Sequence, residues 1–91
     1  MVTMGGFDEI KALEEAFTNS LPEGFSCTVE RVERLGHIRI HLRVMLDGRI
    51  EGFTHYISPI TLQYLSVDQV VLGCLVLNSD IRDWIRKVAG E

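Results

Sequence analysis

The sequence is short of several things at once. It has two cysteines, two prolines, one tryptophan and no long apolar run. Small secreted domains of this length usually carry four or more cysteines, so a disulfide framework is not expected. A reduced, cytoplasmic protein fits better, with Cys27 and Cys74 as small core hydrophobes; one disulfide is the lesser alternative. Two prolines and eight glycines in 91 residues are too few for a linker or low-complexity chain. The longest apolar stretch, Val70 to Leu77, falls far short of the ~20 residues that span a bilayer, so no membrane partner is expected. Met1 to Gly6 has neither the basic start nor the apolar stretch of a secretory signal. It reads as a flexible tail, with residues 7–91 as a single small domain.

Lysine is scarce too, since seven of the nine bases are arginine. With thirteen acids the formal net charge is -4, which disfavours a general nucleic-acid-coating protein. The charge is polarised along the chain. Asp8 to Glu30 holds six acids and one base, whereas Arg31 to Arg49 holds five arginines and two acids. Hydrophobic residues make up 46%, enough for a folded core. A domain of this size buries only roughly 60–65% of its unfolded surface. Homodimerisation would therefore add useful stability.

Phe7, Ile10, Leu13 and Phe17 recur at helical spacing, which predicts an amphipathic helix over 7–19. Asn19 to Gly24 ends it. Phe25, Cys27 and Val29 alternate with polar residues, giving a strand over 25–34, and Leu35-Gly36 reads as a tight turn. Over 37–46, Ile38, Ile40, Leu42, Val44 and Leu46 alternate with His37, Arg39, His41, Arg43 and Met45. A period of two over ten residues is a strand with one buried face. Asp47-Gly48 is a strong hairpin signal, and 49–57 is the return strand. A two-residue loop sets Leu42 opposite Phe53 and Ile40 opposite His55, with Phe53, Ile57 and, awkwardly, Glu51 inward. A bulge would reverse the faces.

Pro59 suits a first helical position, and Ile60 to Leu65 suit a short helical turn. Ser66 with Gln69 resembles a capping box for a helix over 67–77. The competing reading is a buried fourth strand over 70–77, because Val and Leu dominate there and Gly73 weakens a helix. Asn78 to Asp80 cap a last helix with Ile81, Trp84, Ile85 and Val88 on one face, and Ala89-Gly90 ends it. The expected fold is α+β: a three-stranded antiparallel meander packed on one face by N- and C-terminal helices, in the order α-β-β-β-α-α.

Motifs of chemistry are absent from the sequence. There is no Cys-x-x-Cys, His-Glu-x-x-His or EF-hand loop, and His37 and His41, four apart on a strand, lie about 13 Å from each other. His41 and His55 would meet only in the bulged register. Neither a nucleophile elbow nor a phosphate loop occurs. No catalytic residue, metal or cofactor is expected. The α-β-β-β-α order also occurs in double-stranded-RNA-binding domains, but their lysine cluster has no counterpart in Ser66 to Gln69 or Asp80 to Asp83.

The expectation is a small non-enzymatic protein-interaction module: a stand-alone inhibitor or adaptor, such as a phage-encoded antagonist of host defence of the anti-CRISPR type. The candidate partner-binding residues are Asp8, Glu9, Glu14 and Glu15 on the acidic helix, and Arg39, His41, Arg43 and Tyr56 on the outer sheet face. The alternative is a nucleic-acid-binding module using that Arg/His face.

Overall fold

The computed structural model of the chain describes the backbone of residues 6–32 and 36–90, with side chains from residue 9 onward. Its elements are helix α1 (Gly6–Ser20), strands β1 (Phe25–Val32), β2 (His37–Leu46) and β3 (Arg49–Ile57), and helices α2 (Thr61–Tyr64), α3 (Val67–Leu72) and α4 (Ser79–Val88). Met1 to Gly5 of the expected tail and the Leu35 half of the tight turn lie outside the described residues, as do the last residues assigned to the first strand; Gly6, expected in the tail, already begins α1.

Alternation builds the sheet. The strands form an antiparallel meander in the order β1-β2-β3. Leu46 pairs with Arg49, Leu42 with Phe53 and Ile40 with His55, so the two-residue loop sets the register and no bulge intervenes. Asp47 and Gly48 have φ of 52° and 79°, the left-handed conformations a tight hairpin turn needs. One sheet face carries Cys27, Val29, Ile38, Ile40, Leu42 and Val44, all buried.

The helices cover that face. Leu13 and Phe17 of α1 are fully buried with Ile81 of α4 and Val70, Val71 and Cys74 from the intervening segment, in one core. Trp84 sits across the sheet, edge-on to Phe25 at 5.8 Å and tilted against Phe53 at 5.6 Å. One aromatic thus ties β1 and β3 to α4.

The second half is helical, and the alternative fourth strand over 70–77 does not form. The Ser66 hydroxyl accepts from Gln69 N–H while the Gln69 side chain accepts from Ser66 N–H, a complete capping box. This cap commits the apolar run to a helix despite its β-favouring composition. Beyond α3 the helix widens into a π-helical turn over Gly73–Leu77, closed by Asn78 N–H on the Gly73 carbonyl at 2.9 Å. Asn78 then caps α4 through its side chain on Ile81 N–H. Contrary to expectation, Pro59 is not the first helical residue but lies two residues before it: Ser58 to Thr61 form a hydrogen-bonded turn, and Ile60, not Pro59, leads into α2. No helix among the described residues is long and apolar enough to cross a membrane.

Candidate functional site

The outer sheet face is built by the polar half of the alternation. Arg39, His41 and Arg43 project from β2 between Thr28 and Glu30 of β1 and Thr54 and Tyr56 of β3, around a shallow trough of about 370 Å³. The Arg39 guanidinium donates to Glu30 at 2.7 Å, and this carboxylate raises its already high pKa. The His41 ring bonds Thr54 Oγ1 at 2.8 Å through Nδ1, and Arg43 donates to Thr28 Oγ1 at 3.2 Å. Gly52 makes this possible: a Cβ there would stand 3.3 Å from His41 Cε1. The structure therefore brings Arg39, His41, Arg43 and Tyr56 together as expected. With one arginine neutralised by Glu30, the trough is only weakly basic, and Tyr56 is its only aromatic.

On the acidic helix the described carboxylates differ in environment. Glu9 and Glu15 are exposed, but Glu14 is half-buried and accepts from Val29 N–H of β1 at 3.0 Å. One oxygen of the Glu14 carboxylate thus caps an edge-strand donor. The Asp8 side chain lies outside the described residues.

Nucleophile chemistry is suppressed at the thiols. Both cysteines are free and buried. Burial pushes the Cys27 thiol up to about 12, helped by Glu14 and Cys74, and the Cys74 thiol up to about 11. Neither supplies thiolate near neutral pH. Burial also lowers the His55 pKa, against an opposing pull from Asp80. Among the described residues no three metal-ligating side chains cluster.

The surface that sequence reasoning missed is helical. Leu72 and Val76, one turn apart, are exposed beside a groove of about 330 Å³ that also touches Ser20, Asp68, Val71 and Leu75. Leu77 follows at 75% exposed, and Ile60, Tyr64 and Leu65 around α2 are exposed as well. The signal was present in the run Val70 to Leu77. A segment apolar on every side normally lies inside a protein, yet a 91-residue chain with one layer of helices covers only one of its sides.

Comparison of the chain with protein-family models, with curated proteins and with solved structures finds no match.

Proposed function

We propose that this protein works by binding another protein rather than by catalysis, and that the partner covers the ridge of Leu72, Val76 and Leu77. The single observation behind this reading is large apolar side chains held out on an ordered, capped helix. Grouped exposed apolar residues on a small folded protein mark interaction surfaces, whereas single ones do not. The flanking groove, with Asp68 at its rim, suits an apolar anchor from the partner. A cytoplasmic inhibitor or adaptor, such as a phage-encoded antagonist of host defence, is a role that such a chain would fill. Mimicry of nucleic acid by the acidic helix has less support, because Glu14 is occupied. The Arg39–Arg43 trough is the basis of the alternative, nucleic-acid binding.

Capture of partners from host lysate, at low and high salt and with nuclease treatment, tests this reading. A protein that survives both treatments, and is lost to Leu72→Glu with Val76→Glu, supports it. Recovery of nucleic acid alone, released by salt, overturns it in favour of the trough.

A further inference from the structure

The two edges of the sheet are treated differently. On β1, Val29 N–H is capped by Glu14 and Phe25 N–H bonds the Pro22 carbonyl, so α1 and the preceding turn occupy two of that edge's outward donors. On β3, the two-residue turn makes Arg49 a hydrogen-bonded partner of Leu46. Alternation then points the backbone N–H and C=O groups of Ile50, Gly52, Thr54 and Tyr56 away from β2. No hydrogen bond among the described residues occupies these N–H groups. The strand runs nine residues without a bulge. Proteins ordinarily protect such an edge.

We infer that β3 pairs antiparallel with β3 of a second copy of this chain, about a two-fold axis at Phe53, forming one continuous six-stranded sheet. Phe53 is the midpoint of Arg49–Ile57, so this register overlaps the whole strand. The outward-pointing groups then meet each other, Ile50 opposite Tyr56 and Gly52 opposite Thr54 of the second copy. Glu51 selects the register. It is half-buried on the inner face, 3.7 Å from the Arg49 guanidinium of its own strand, an ion pair beyond hydrogen-bond reach. A carboxylate with acceptors still open there opposes edge pairing. The Phe53-centred pairing sets it opposite His55 of the other copy, which can donate a ring N–H. Sliding by one step in either direction sets it opposite Phe53 or Ile57 instead.

The outer face supplies the apolar contact. Met45 and Ile50 are cross-strand neighbours, 63% and 67% exposed. Tyr56 of the second copy extends that pair into a row, and the symmetry repeats the row on the other side of the axis. The same pairing places two Arg39–Arg43 troughs side by side.

Sedimentation equilibrium of the full chain across a dilution series tests the inference. The wild type is expected at twice the chain mass, dissociating on dilution. Ile50→Lys with Tyr56→Lys sets like charges opposite each other and is expected to be monomeric with an unchanged circular dichroism spectrum. Ile50→Lys with Tyr56→Glu sets opposite charges together and is expected to regain the dimer. In the wild type, the Gly52 and Thr54 amides should exchange slowly when concentrated and fast when dilute, a readout that needs no variant. A wild type that stays monomeric, two variants that behave alike, or a dimer broken only by Leu72→Glu overturns the inference.

Discussion

Glu14 shows how much one side chain can decide. Its carboxylate reaches from α1 to the Val29 N–H, so a residue on a charged helix face caps a donor on a sheet edge. A hydrogen bond to a charged group contributes about 1.5–3 kcal/mol, with the low end fitting a half-buried site. Glu14→Gln should therefore destabilise the fold by about 1 kcal/mol and speed exchange of the Val29 amide, measured by denaturant unfolding and NMR. Unchanged exchange at Val29 would remove Glu14 from this role. The thiols give a second test. With Cys27 raised to about 12 and Cys74 to about 11 by burial, both should resist a disulfide-exchange reagent at pH 8 in the native protein and react fully in denaturant. His55 gives a third. Its folded pKa lies below the ordinary 6.5 through burial. As pH falls below 6.5 the unfolded chain binds a proton that the folded chain takes up only at lower pH. Stability from this group is thus complete above 6.5 and declines as pH drops towards the folded pKa. Denaturant titrations between pH 5 and 8 should show that slope, and His55→Gln should flatten it.

At the scale of elements, local chemistry dominates wherever it is complete. The β2–β3 register follows from Asp47-Gly48 and a period of two, and Gly48→Val should cost about 1 kcal/mol or more because of the left-handed φ there. An undiminished midpoint in urea would contradict the turn assignment. The capping box of Ser66 and Gln69 was equally legible, because both partners lie within one turn. It decides a segment whose composition left helix and strand open. The Glu14 cap was not legible, since it depends on the distance between a helix and a strand fifteen residues later. Nor was the π turn: by propensity Gly73 weakens a helix, whereas in the fold it begins the widened turn that Asn78 closes. The trough residues were legible because alternation alone puts Arg39, His41 and Arg43 on one face. The room for His41 over Gly52 was not, because it needs the cross-strand register.

For the whole molecule the limit is the number of layers. Among the described residues of this 91-residue chain there are three strands and one covering layer of helices, so an all-apolar run meets protein on one side only. Val70, Val71 and Cys74 turn inward to the core, and Leu72, Val76 and Leu77 are left outward. Sequence pattern shows that such a run wants burial without showing that the domain is too thin to provide it. The open β3 edge has the same origin, since α1 packs beside β1 at the opposite edge. On the proposed function, the helical ridge rather than the outer sheet face receives the partner. The most direct measurement compares partner capture by three forms: the wild type, Leu72→Glu with Val76→Glu, and Arg39→Ala with Arg43→Ala, each checked for native circular dichroism. Loss of the partner with the first pair and retention with the second are the expected results. Retention by the ridge variant, with loss on removing the arginines, would contradict the proposed function.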